Sequence, residues 1–134
     1  MIIEKSKPKL IYLFFVPLLI YIGERSLIAF DEGFYAMQAR WIIEKSNWVG
    51  PLFWDQLSSD RTIGIQFLIA ISKKLFGDSL FVIYIPIILG AILMLYCTYQ
   101  LHKELLEDKN TIYSALILST TFLWINYAHM ATQD

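Results

Sequence analysis

From Ser79 to Leu101 the chain runs without one charged residue, and this stretch limits the possible folds more than any other feature. A bilayer core of roughly 30 Å is crossed by about 20 helical residues, so the segment is long enough to span with some tilt. Two further apolar segments accompany it. The first covers about residues 10–30 and is interrupted by Gly23-Glu24-Arg25; the last covers about 111–133, with His129 its only titratable group besides Tyr113 and Tyr127. Charges cluster between these segments, which leaves the segments apolar all round, as helices in lipid are. With 57% hydrophobic residues in 134, the chain is richer in apolar side chains than an ordinary soluble domain and too short to bury them in a large core. The expected fold class is an all-α membrane protein of about three transmembrane helices, with short interfacial helices in the long loop after the first span.

The first span has to reach past Glu24 and Arg25 to be long enough, and these two then snorkel or face neighbouring helices. Pro17 is a candidate kink. Lys5, Lys7 and Lys9 ahead of an apolar run also fit a cleaved signal peptide, but no small-x-small cleavage site follows, which favours a retained anchor. The polar stretch from His102 to Asn110 reads as a short turn that makes the second and third spans antiparallel neighbours. Lysines before the first span and in this turn put the amino terminus in the cytoplasm, the membrane being the plasma (inner) membrane. Span parity then places Asp31 and Asp134 on one side, the outer one.

The loop of residues 31–78 is rich in aromatics and poor in glycine. Phe34, Met37 and Trp41 recur at helical spacing, with Gln38, Glu44 and Lys45 supplying polar faces, as in a helix lying at headgroup depth. A second short helix is expected from about Ile63 to Phe76, apolar through Ile65, Phe67, Leu68 and Ile71, and too short to cross. Arg40 and Glu44 can pair across a helical turn. Trp48 and Trp54 read first as belt aromatics, and Lys73 and Lys74 as headgroup contacts. The net charge of −1 and the lack of a basic stripe argue against nucleic acid as a partner. The single cysteine, Cys97, excludes an internal disulfide.

Asp31-Glu32 sits directly after the first span. Two carboxylates at a membrane surface need hydration, partners or a reacting ligand, so the pair marks either a helix start or a site of chemistry. It opens the run Asp31-Glu32-Gly33-Phe34-Tyr35-Ala36, followed by Ala39-Arg40, Asn47-Trp48-Val49-Gly50-Pro51, Asp60-Arg61-Thr62, Leu75-Phe76-Gly77 and, after the third span, Ala131-Thr132-Gln133-Asp134. In order and spacing these motifs resemble the amino-terminal part of the ArnT-like and protein-mannosyltransferase-like enzymes, membrane glycosyltransferases of the C-type fold. The resemblance covers nearly the whole chain from Leu10 onward.

The resemblance implies transfer of a sugar from a polyprenyl-phosphate carrier to an acceptor on the outer face. Asp31, with Glu32 beside it, would position or deprotonate the acceptor hydroxyl. Asp134 would belong to a second acidic motif, and Arg61 would face the donor phosphate. General chemistry agrees: a lipid-phosphate sugar already has a leaving group, leaving a base and a phosphate-facing cation to be supplied, and arginine presents a planar fork of donors. Arg61 reads equally as an anchor to anionic headgroups. Two departures stand out. The relatives commonly carry proline after the basic residue, where this chain has Thr62, and they continue through many more spans. The chain is therefore expected to be the amino-terminal module (1–134) of a truncated enzyme, without transfer activity alone. The alternative is a small non-enzymatic membrane protein that binds lipid or an assembly partner. No cofactor is expected, and two adjacent carboxylates are a weak signal for a divalent metal. The sugar and the acceptor are not legible.

Overall fold

The computed structural model describes residues 16, 20, 22–24, 26–50, 52–53, 56–57, 62–106 and 111–132. Its elements in chain order are α1 (Glu32–Glu44), β1 (Leu52–Phe53), β2 (Gln56–Leu57), α2 (Gly64–Phe76), α3 (Leu80–Leu106), α4 (Ile112–Thr120) and α5 (Phe122–Ala128). The architecture is mostly helical; the strands form one two-residue antiparallel ladder, with Leu52 opposite Leu57 and Phe53 opposite Gln56. Two compact units divide the chain. One takes residues 23–87 and 130–134, the other residues 1–22 and 88–129.

In the unit of residues 23–87 and 130–134, α1 packs on α2. The stripe that α1 buries is Tyr35, Gln38, Ala39 and Ile42, with Ala36 beside it. Phe34, Met37 and Trp41, the face expected at headgroup depth, lie outside this stripe and are half-buried, whereas Gln38, expected on a polar face, is interior. The reason lies across the interface. Gln66 of α2 is fully buried, and its Nε2 donates to Gln38 Oε1 at 2.9 Å. The bond satisfies the Gln66 amide N–H, whereas Gln66 Oε1 is buried with no hydrogen-bond partner among the described residues, and small residues (Ala36, Ala39, Ala70) bring the two helices close. Meanwhile α2 turns Phe67, Leu68, Leu75 and Phe76 outward. Its exterior is more apolar than its buried face of Gln66, Ile69, Ala70 and Ser72, an arrangement suited to apolar surroundings.

The first expected span does not stay helical to Phe30. Ile22–Glu24 form a turn and Ser26–Ile28 carry no regular structure. Gly23 has φ +77°, and a Cβ there would meet the backbone Cα and N of Phe81 at 3.1 Å, so glycine both ends the run and permits the approach. Glu24 is exposed as a result.

Helix α3, 27 residues long, is the one helix among the described residues long and apolar enough to cross a membrane. It runs five residues beyond the expected boundary at Leu101, because Lys103, Glu104, Leu105 and Leu106 are all strong helix formers and polarity alone does not stop a helix. Pro86 lies inside it. In the unit of residues 1–22 and 88–129, the later part of α3 packs Ala91 and Leu95 with Ala115 of α4 and Trp124 and Ala128 of α5. The expected third span is two helices here, parted at Thr121, whose φ −70° and ψ 127° are extended. Ser119, Thr120 and Thr121 each donate a side-chain hydroxyl back to a carbonyl of the preceding turn: Ser119 to Leu116 at 2.8 Å, Thr120 to Ile117 at 3.0 Å and Thr121 to Ile117 at 2.9 Å. Hydroxyl groups in series compete with the helical ladder and bend or end it. Among the described residues α3 alone is an undivided helix of membrane-crossing length, so the count of three rests on sequence.

Candidate functional site

The acidic pair splits into two environments. Asp31 is the residue before α1 and is half-buried, with backbone angles outside the helical range and no capping hydrogen bond from its side chain. Glu32, the next residue, is 0% exposed. Glu32 Oε2 accepts the Ile28 backbone N–H at 3.1 Å, reaching back over the start of its own helix. Glu32 Oε1 accepts the Ala131 backbone N–H at 2.9 Å and faces the Tyr84 hydroxyl at 3.4 Å. Charge-assisted bonds from backbone amides are among the stronger hydrogen bonds available to a carboxylate. One buried side chain therefore fastens the loop before α1, the first part of α3 and the segment after α5.

The loop is shaped for this. Gly33 N–H and Asp31 N–H both donate to the Ile28 carbonyl, at 2.8 and 3.3 Å, so the chain folds tightly over the Glu32 side chain. Tyr84 is 1% exposed and Ala131 0% exposed, which keeps the contacts out of solvent. Tyr84 was not among the residues singled out from sequence, and Ala131 stood there only as the first residue of the motif that ends at Asp134. The available signal was periodic: Glu32 precedes Tyr35 by three residues and Ala36 by four, so a helix phased on the buried stripe turns Glu32 inward as well.

Of the residues expected to act, Asp31 and Glu32 are adjacent here, whereas Arg61 and Asp134 lie outside the described residues. Among the described residues, no group of three or more His, Cys, Asp or Glu side chains is gathered as a metal site. A half-buried carboxylate such as Asp31, held next to an immobilised neighbour, can accept a proton from a hydroxyl brought within hydrogen-bond reach. A second charged region lies on the same unit. Arg40 Nε and Glu44 Oε1 are 2.6 Å apart, and Lys73 Nζ and Asp78 Oδ1 are also 2.6 Å apart. The hydrogen bond from Lys73, and then its charge, hold the Asp78 carboxyl below its ordinary range. The hydrogen bond to Glu44 and its charge raise the Arg40 guanidinium above its own. Lys74 Nζ sits 5.3 Å from the centre of the Trp48 ring, and Trp48 meets Phe67 edge to face at 5.6 Å.

Comparison with known proteins adds an independent line. The family described as dolichyl-phosphate-mannose-protein mannosyltransferase matches residues 60–134. An undecaprenyl phosphate-alpha-4-amino-4-deoxy-L-arabinose arabinosyl transferase from Yersinia pestis (strain Pestoides F) is 28% identical over 125 residues, 92% of this chain and 23% of the relative. One of the same name from Shewanella sediminis (strain HAW-EB3) is 27% identical over 135 residues, 98% of this chain and 25% of the relative. The chain thus spans about a quarter of the length of the curated relatives it matches. No solved structure matches it. Because the family match takes in more than half of the 134 residues, the chain belongs to the dolichyl-phosphate-mannose-protein mannosyltransferase family.

Proposed function

We propose that this chain is the amino-terminal module of a multi-pass membrane glycosyltransferase that moves a sugar from a polyprenyl-phosphate carrier to an acceptor on the outer face. The relatives' names supply the donor class, a sugar on undecaprenyl phosphate. One observation carries the site: the Glu32 carboxylate accepts the Ala131 N–H at 2.9 Å, joining the first acidic motif to the segment that leads in sequence to the second. In this reading Asp31 is the base, or the group that orients the acceptor hydroxyl. Glu32 is a positioning residue, since its oxygens already face donors from three segments. Arg61 would face the departing phosphate, for which its fork of donors is suited, and Asp134 would assist. The acceptor hydroxyl attacks the anomeric carbon, the bond to the lipid phosphate breaks, the hydroxyl proton passes to Asp31, and the polyprenyl phosphate leaves.

The test grafts residues 1–134 in place of the matching segment of the Yersinia pestis relative and measures sugar transfer from the lipid-linked donor. Asp31→Asn should lower turnover by about 10²–10⁴-fold, the range for loss of a positioned base, with the protein still inserted in the membrane. Arg61→Gln should weaken use of the donor. Activity unchanged by Asp31→Asn would sink the assignment of the base, and a graft that inserts but transfers no sugar would favour the non-enzymatic alternative, a lipid-binding or assembly protein.

A further inference from the structure

Beside the acidic pair, and separate from it, the unit of residues 23–87 and 130–134 carries two adjoining cavities of about 280 and 250 Å³ that share Arg40, Lys73 and Asp78 as walls. The larger continues over apolar side chains, including Leu27, Met37, Leu80 and Ile83. The smaller is also lined by Ile43, Glu44 and Lys74. Together they form a groove with one greasy end and one charged end, and the charged end has both signs: Arg40, Lys73 and Lys74 against Glu44 and Asp78. The groove also lies at a defined depth. Asp78 and Ser79 immediately precede Leu80, the first residue of the membrane-crossing helix α3, which puts the charges at headgroup level.

We infer that this groove binds a zwitterionic phospholipid of the phosphatidylethanolamine class from the surrounding bilayer. The phosphate lies between Arg40 and the lysines, the primary ammonium donates to Glu44 and Asp78, and the chains run along Leu27, Met37, Leu80 and Ile83. The mixed charge decides the class. An anionic headgroup would meet two carboxylates as well as the cations, and a quaternary ammonium has no N–H to donate. The existing ion pairs leave both carboxylates within reach of a headgroup, Glu44 being 47% and Asp78 71% exposed. The inference rests on the membrane reading of α3 and not on the transfer reaction, so the two fail separately.

The purified 134-residue chain, reconstituted in nanodiscs of equal parts phosphatidylcholine, phosphatidylethanolamine and phosphatidylglycerol, is extracted into mild detergent, and the lipid it retains is counted by mass spectrometry. Phosphatidylethanolamine should be enriched about fivefold over the other two, the factor to which roughly 1 kcal/mol, the net worth of one hydrogen bond from the ammonium, corresponds. Arg40→Gln with Lys73→Met should abolish the enrichment. Glu44→Gln with Asp78→Asn, which alters only exposed carboxylates and leaves helicity by circular dichroism unchanged, should reverse the preference toward phosphatidylglycerol. Equal retention of the three lipids would overturn the inference, as would an unchanged order in the carboxamide variant. Displacement of phosphatidylethanolamine by an equal amount of polyprenyl phosphate would also overturn it, by giving the groove to the donor.

Discussion

At the scale of single residues, Glu32 dominates because three donors converge on it in a region closed to water. Glu32→Ala strands the Ile28 and Ala131 amides and the Tyr84 hydroxyl. Unfolding in detergent, followed by circular dichroism, should show a loss of about 3–5 kcal/mol, the cost of breaking a buried charged network from one side. Glu32→Gln keeps an acceptor but turns an NH₂ toward a donor, and should lose about 1–3 kcal/mol. Tyr84→Phe gives up a contact of 3.4 Å and should lose under about 1 kcal/mol. The order, alanine worst and phenylalanine mildest, is the test; a Tyr84→Phe variant as damaged as Glu32→Ala would mean that packing around Tyr84 matters rather than the carboxylate. Sequence pointed to Asp31-Glu32 as a pair, since paired carboxylates beside an apolar segment stand out locally. It did not separate them. Neighbours on a helix point about 100° apart, and which of the two faces inward depends on partners 52 and 99 residues away.

At the scale of elements, glycines divide by what a side chain would meet. Gly23→Ala faces both a left-handed φ of +77° and the Phe81 backbone at 3.1 Å, and should cost well over about 1 kcal/mol. Gly77→Ala, with φ +92° but open space around it, should lose only the backbone strain of about 1–3 kcal/mol. Gly90→Ala, in the interior of α3 with open space around it, should gain about 0.5–1 kcal/mol, measured in the same unfolding series. Gly77 also aims Asp78 back at Lys73. Since the folded Asp78 titrates below its ordinary range, its stabilisation is complete above that range and disappears as pH falls through the lowered value. The side chain is 71% exposed, so the effect stays under about 1 kcal/mol and shrinks with salt; Lys73→Met should remove both the pH dependence and the salt dependence. Helix α2 was legible to within a residue because Gly77 punctuates it, and the start of α1 because Asp31-Glu32 marks it. Their faces were not, since the Gln38–Gln66 pair inverts the usual rule that amides face outward. The break at Thr121 had a visible signal, three hydroxyl residues in succession, that hydropathy alone conceals.

At the scale of the whole molecule, the number of lipid crossings decides the compartment of each acidic motif. The described residues contain one undivided crossing helix, and the segment after it is helical but parted at Thr121. The bond between Ala131 and Glu32 constrains the count nonetheless. A carboxylate and an amide 2.9 Å apart lie on one side of a bilayer whose core is roughly 30 Å thick. If α3 crosses once between them, the chain has to cross again before Ala131, and α4 with α5 is the stretch that can do it. Helices broken at a hydroxyl run are tolerated in lipid where side chains and neighbouring helices satisfy the freed carbonyls, as Ser119 to Thr121 do here. With Cys97 changed to serine, single cysteines at Asp31, Lys103 and Thr132 can be challenged with a membrane-impermeant maleimide on intact cells. Positions 31 and 132 should label together from outside, and position 103, near the far end of α3, only after permeabilisation. Labelling of 31 and 132 from opposite faces would remove the second crossing and, with it, any shared compartment for the two acidic motifs.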